Sequence, residues 1–214
     1  MYTQAPHSLP AGKEATLWRT RSTTPSPSAA DTCATPPSRS SGSPACVWRS
    51  SGAPSMMSPS PSGKHAGTVI DLRDAIRPSL TAAYEAYENV SVPMPDDPDD
   101  YATPDLTIGP RAFKEDDGWL LEADAIALAV EVISPSERLR GINEKTAWYA
   151  AARVARLLQI DPRTGTWSLF TRPGEGEYKG VVHGKYGEPV PLPADLGGDL
   201  PTSCLPLYGT PPGS

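Results

Sequence analysis

The stretch that decides the fold is "DAIALAVEVISPSERLRGINEKTAWYAAA", residues 124–152. Its first part, residues 125–133, is almost entirely apolar, which predicts a central β-strand covered on both faces. A Ser-Pro-Ser corner follows, where Ser134 or Ser136 can cap a helix that we expect to run to about Arg153. One charged residue stands inside the strand and one lysine on the helix, and both need an explanation.

The segments upstream of this stretch extend the pattern. Residues 66–89 carry apolar side chains at helical spacing, and Pro78 should kink or break that helix. Residues 90–104 predict a short strand and an acidic turn. A second strand is expected at residues 105–108.

The segments downstream predict three more strands. "RLLQIDP" (156–162) and "TWSLFTR" (166–172) are separated by a tight turn, which predicts a hairpin, and "EYKGVVHG" (177–184) predicts another strand. The remaining Pro- and Gly-rich residues predict mostly irregular structure. A strand–helix–strand unit followed by a hairpin indicates an α/β fold with a mixed β-sheet flanked by helices.

The first quarter of the chain has a different character. Residues 1–55 are rich in Ser, Pro, Thr, Ala and Gly, contain no Ile, and show neither helical nor strand periodicity. One interpretation is a disordered segment, because it cannot bury enough apolar surface to offset the entropy of ordering. The other is a low-complexity stretch read out of frame. We therefore place one domain at residues 56–208, followed by a flexible tail at 209–214.

Composition and charge narrow the class of protein. The formal net charge of −6 gives no global basic field, so a nucleic-acid role needs a local site. Three cysteines without a paired motif are typical of a reducing compartment. No segment has the roughly 18 apolar residues of a membrane span. We expect a soluble cytoplasmic protein without a membrane partner.

Three residues point to metal-assisted chemistry. Asp105 starts one strand, Glu131 lies near the end of a strand that should be its neighbour, and Lys145 lies on the next helix. Two carboxylates on adjacent strands can share one Mg²⁺ ion, which prefers oxygen ligands. A nearby lysine can orient or deprotonate a water, or stabilise developing charge on a phosphate. The alternative is a structural ion pair between Glu131 and Lys145.

The same residues carry a family resemblance. The sequence resembles the Uma-two family, a restriction-endonuclease-like group of the PD-(D/E)xK nuclease superfamily. The matching segments are "SPSPSGKH" (58–65), "PDLTIGP" (104–110), "VEVISPS" (130–136), "KTAWY" (145–149) and "LLQIDP" (157–162). Two positions depart from the family pattern: Gly141 replaces an aspartate four residues before the lysine, and Arg153 replaces a glycine after the helix.

The resemblance implies a restriction-endonuclease-like core and a Mg²⁺-dependent endonuclease, with Mn²⁺ as a possible substitute. Asp105 and Glu131 would be metal ligands and Lys145 the catalytic lysine. His65 lies where the family often has a histidine and is a further site candidate. DNA would be the substrate, and related nucleases often form homodimers. The alternative function is a catalytically inactive interaction module on the same fold, or a degenerate gene product.

A local basic rim is the feature that could bring DNA to an acidic protein. The candidates follow the central strand in sequence. They are Arg138, Arg140, Arg153, Arg156 and Arg163.

Overall fold

The computed structural model describes residues 61–209, together with the backbone of residues 47–48 and 55–56. The predicted disordered segment, 1–55, and the predicted flexible tail, 209–214, therefore lie almost entirely outside the described residues. Within the former, two short strands pair in an antiparallel fashion.

The described elements follow in chain order. They are β1 (Val47–Trp48), β2 (Ser55–Met56), α1 (Gly63–Ile76), β3 (Tyr84–Tyr87), β4 (Val92–Met94), β5 (Asp97–Ala102), β6 (Leu106–Pro110), β7 (Leu128–Val132), α2 (Leu139–Ala151), β8 (Arg156–Asp161), β9 (Thr166–Pro173), β10 (Tyr178–Lys185), β11 (Val190–Pro191) and β12 (Asp199–Leu200). Short 3₁₀ turns connect several of them.

A six-stranded sheet in the order β10-β9-β8-β7-β6-β3 forms the centre of the protein. β7 and β8 run parallel, as a strand–helix–strand unit requires, and every other neighbouring pair in this sheet is antiparallel. The predicted α/β fold with a mixed sheet and flanking helices is confirmed. The three strands predicted after α2 are present as β8, β9 and β10.

Each face of the sheet has its own hydrophobic cluster. Leu128, Val130 and Val132 of β7 pack in the cluster that contains the apolar side chains of α1. Ala129 packs in the second cluster, with Tyr149 of α2. Because side chains alternate along a strand, Glu131 belongs to the α2 face. This alternation explains why β7 is apolar on both sides except at the one position where α2 supplies a polar partner.

The upstream helix ends earlier than its apolar spacing predicted. α1 stops at Ile76, a 3₁₀ turn at Arg77–Ser79 contains Pro78, and the chain continues as β3. The break at Pro78 was therefore predicted correctly, but the helical assignment of residues 84–87 was wrong. The acidic segment expected as a turn is also largely a strand, β5, paired with β4.

The second helix begins later than predicted. α2 starts after Arg138, which makes no side-chain capping bond, so neither Ser134 nor Ser136 caps it. At its other end Arg153 has a φ of 65°, a left-handed conformation that favours glycine. The resemblance to a family with glycine there has this physical basis. In the described part of the chain, neither helix has the length and apolar character needed to cross a bilayer.

Glu85 on β3 anchors the edge of the sheet. Its side chain is only 4% exposed, and its carboxylate lies 2.6 Å from Nζ of Lys114, 3.0 Å from Nε of Arg77 and 3.5 Å from Nη1 of Arg111. The hydrogen bond from Lys114 is the main reason that the pKa of Glu85 falls to about 2, while burial acts in the opposite direction. The group is therefore ionised and paired near neutral pH.

Glu85→Gln is expected to lower the free energy of unfolding by about 2 kcal/mol near neutral pH, because three cations lose their partner. The folded-state pKa lies below the ordinary 4.5, so the unfolded chain takes up the proton first as the pH falls. The stabilisation is thus present above about pH 4.5 and is lost as the pH approaches 2. Urea unfolding at about pH 7 and about pH 2.5 measures the gap between the two proteins.

The matched control is Glu88→Gln, because Glu88 pairs with Arg73 where both side chains are about one-third exposed. A surface pair of this kind contributes less than about 1 kcal/mol. A gap between wild type and Glu85→Gln that stays the same size at both pH values would contradict the assignment.

Candidate active site

The start of β6 and the end of β7 meet at one edge of the sheet. The two strands are antiparallel, with Leu106 opposite Val130, so the next residues outward are Asp105 and Glu131. The predicted neighbours are therefore brought together by strand pairing. α2 crosses the same face and delivers Lys145 to Glu131.

Glu131 is a buried carboxylate with two protein donors. Nζ of Lys145 donates to its Oε2 at 2.9 Å, and the hydroxyl of Tyr149 donates to its Oε1 at 2.6 Å. Burial raises the pKa of Glu131, the charge of Lys145 opposes that rise, and the nearby Asp105 carboxylate adds to it. A desolvated carboxylate beside a second carboxylate is a place where a bound cation would be stabilised.

Asp105 is held by backbone and side-chain donors. Its Oδ2 accepts a hydrogen bond from N of Val132 at 2.7 Å, and its Oδ1 accepts one from Nε2 of His65 at 3.0 Å. That bond raises the pKa of His65 more than burial lowers it. His65 lies in the first turn of α1, so the fourth predicted residue also lies at this edge of the sheet.

Lys145 lies between two carboxylates. Besides Glu131, it contacts Oε1 of Glu137 at 3.1 Å. Burial lowers the pKa of Lys145, but the two carboxylates outweigh it, so the pKa lies above the ordinary range. The side chain is 35% exposed, and its ammonium is charged near neutral pH.

The donor set fits a hard divalent cation. Each oxygen of Asp105 and Glu131 accepts one hydrogen bond from the protein and keeps a second lone pair. Within residues 61–209, no group of three or more His, Cys, Asp or Glu side chains is arranged to hold a metal. Two carboxylates with water and substrate oxygens match the coordination that Mg²⁺ and Mn²⁺ accept.

Sequence reasoning missed three residues at this edge. Tyr149 was expected only to pack on the sheet, although its position four residues after Lys145 gave a signal. Glu137 had no periodic signal, because it lies in the loop before α2. Tyr208, whose hydroxyl lies 3.5 Å from Nδ1 of His65, belongs to a Pro- and Gly-rich end that predicted irregular structure.

The expected basic rim is divided between two edges of the sheet. Because β7 and β8 are parallel, Arg163, just after β8, lies on the same edge as Glu131. Arg138 and Arg140 precede or begin α2 and lie at the same end. Arg156 starts β8 at the opposite edge, where it donates to the carbonyl oxygen of Ala127, and Arg153 ends α2 at that edge.

Comparison with protein families identifies the group to which this site belongs. The Uma2 family, described as "Putative restriction endonuclease", matches residues 45–203. The chain belongs to the Uma2 family. Its family region begins at residue 45, before the predicted domain start at residue 56.

A solved structure supports the same fold. The crystal structure of "a putative nuclease belonging to DUF820" from Anabaena variabilis ATCC 29413 superimposes with a TM-score of 0.52 at 16% sequence identity. The alignment covers 64% of this Uma2 chain and 76% of the other chain. No protein of curated function matches the sequence. At this identity the likeness concerns the fold alone.

Proposed function

We propose that this Uma2 protein is a divalent-metal-dependent endonuclease that hydrolyses phosphodiester bonds of DNA. One observation carries the proposal: the carboxylates of Asp105 and Glu131 lie at adjacent strand ends, with Nζ of Lys145 2.9 Å from Glu131. This arrangement combines two oxygen ligands with a fixed positive charge. Membership of a family described as restriction endonucleases supports the same chemistry.

Each residue has a role in the proposal. Asp105 and Glu131 hold Mg²⁺ or Mn²⁺, which when bound polarises the phosphate and lowers the pKa of a water. Lys145 is charged, so it stabilises negative charge on the phosphate and orients the attacking water rather than removing its proton. His65 fixes the orientation of Asp105, and Tyr149 fixes that of Glu131.

The direction of substrate approach follows from charge. Arg138 and Arg140 are exposed at the start of α2, beside the edge that holds the two carboxylates. Arginine side chains neutralise phosphates, and the affinity they supply falls with rising salt. DNA binding at this edge would therefore be weak and salt-dependent, as the formal net charge of −6 also implies.

Cleavage of supercoiled plasmid tests the proposal. The purified protein is incubated with plasmid and Mg²⁺ or Mn²⁺, and a parallel sample contains excess chelator. We expect nicked and then linear DNA with metal, and intact plasmid with chelator. Equal cleavage with and without chelator, or intact plasmid at every concentration of folded protein, would contradict the proposed function.

A further inference from the structure

We propose that Glu137 is a positioning residue that, together with Glu131, holds the ammonium of Lys145 at the active site. The inference rests on the proposed function and extends it to a residue outside the predicted metal ligands. Oε1 of Glu137 lies 3.1 Å from Nζ of Lys145, against 2.9 Å for Oε2 of Glu131. These contacts use two of the three donors of the ammonium, which leaves one for a phosphate oxygen or a water.

Glu137 is itself fixed at both its side chain and its backbone. Its Oε2 accepts a hydrogen bond from N of Ser134 at 3.3 Å, and its carbonyl oxygen accepts one from Nη1 of Arg163 at 2.7 Å. Arg163 is in turn held by Asp161 through two hydrogen bonds. The loop before α2 is thereby tied to the end of β8, and the Glu137 side chain is only 17% exposed.

A second carboxylate on Lys145 has a physical purpose. A lysine side chain loses considerable rotamer freedom when it is ordered, so one contact to a partly exposed ammonium holds it loosely. Glu131 must also serve as a metal ligand in the proposed function, and a carboxylate shared with a cation attracts an ammonium less. Glu137 makes no contact with Asp105 in the described residues, so it can restrain Lys145 without entering the metal site.

The test compares Glu137→Ala with a matched control, Glu144→Ala. Glu144 is an exposed carboxylate near the start of α2 that pairs with Arg140. We expect Glu137→Ala to lower kcat for plasmid nicking about tenfold to a hundredfold. KM for DNA and the metal concentration for half-maximal rate should stay unchanged. Glu144→Ala should cleave at the wild-type rate.

A second-site rescue separates positioning from loss of structure. Position 141 precedes Lys145 by one helical turn, and a Cβ at Gly141 meets no atom within 4 Å. Asp at that position can reach the ammonium, so the double variant Glu137→Ala, Gly141→Asp should recover most of the lost kcat. If Glu137→Ala fails to fold, Glu137→Gln, which keeps the side-chain shape, takes its place in each comparison.

Crystal structures of wild type and Glu137→Ala supply a readout independent of activity. We expect Nζ of Lys145 to stay beside Glu131 in the wild type and to leave it, or become disordered, in the variant. An unchanged lysine position, or a variant that cleaves as fast as Glu144→Ala, would overturn the positioning role. A displaced lysine in a protein whose wild type cuts no DNA would support the positioning role and refute only the nuclease function.

Discussion

Replacing Glu131 with Gln is expected to reduce metal-dependent plasmid cleavage by at least about a hundredfold while the protein stays folded. The amide has almost the same shape, and its oxygen can still accept the hydrogen bond from Tyr149. It cannot supply the negative charge that holds a divalent cation. The variant therefore removes the chemistry with little change in packing.

Stability separates this account from a structural ion pair between Glu131 and Lys145. Glu131 is 7% exposed, and its burial disfavours the charged form. Neutral replacement of such a carboxylate is often harmless or stabilising, whereas breaking a structural buried pair destabilises. Lys145 keeps Glu137 and water as partners. We expect a midpoint of thermal unfolding equal to or above that of the wild type.

Calorimetry and nicking assays on the same preparation provide both readouts. A Glu131→Gln variant that unfolds at much lower temperature and cleaves with wild-type kcat would show that the residue is structural. The combination of retained stability and lost cleavage is the pattern that a functional carboxylate produces.

Lys145→Met should also lower cleavage by at least about a hundredfold, but it should leave metal binding intact. The ammonium contacts the carboxylates and does not itself bind a cation, so its removal takes away positive charge near the phosphate only. Asp105→Asn, in contrast, should lose cleavage and Mn²⁺ affinity together. Titration of each variant with Mn²⁺, followed by paramagnetic resonance or calorimetry, measures the affinity.

The matched lysine control is Lys179→Met. Lys179 is exposed on β10, three strands away from β7 in the sheet. It should cleave DNA and bind Mn²⁺ as the wild type does. If Lys145→Met lost Mn²⁺ binding to the same extent as Asp105→Asn, the division of roles between ligand and lysine would be wrong.

The centre of the fold could be predicted because local pattern and tertiary structure agree there. The apolar run of β7 is buried on both faces, α2 follows it, and β8 returns parallel to it. The order of Asp105, Glu131 and Lys145 along these elements then brings them to one edge. Their geometry follows from strand pairing, whereas their roles stay predictions until metal binding or cleavage is measured.

The edge of the sheet could not be predicted in the same way. Residues 84–87 continue the apolar spacing of α1, but Pro78 ends the helix and the chain then pairs with β6. What stabilises this strand is remote in sequence, because Glu85 meets Lys114 and Arg111 only after the chain has folded. A pattern within one segment contains no information on such partners.

Residues that act through loops were missed for a related reason. Glu137 follows a Ser-Pro-Ser corner that predicted a helix start, and its carboxylate reaches Lys145 because the loop delays α2 until Leu139. Tyr208 reaches His65 from an irregular segment whose backbone is held by the carbonyl oxygen of Pro162. Neither position repeats with a helical or strand period, so neither stands out in the sequence.

Anomalous diffraction from crystals of the full chain soaked in Mn²⁺ tests the central claim most directly. The account predicts one strong peak at the edge shared by β6 and β7, within about 2.2 Å of an oxygen from Asp105 and one from Glu131. The same peak should be missing from Asp105→Asn crystals. Saturating Mn²⁺ with no peak between these carboxylates, or a peak held by other residues, would contradict the proposed active site.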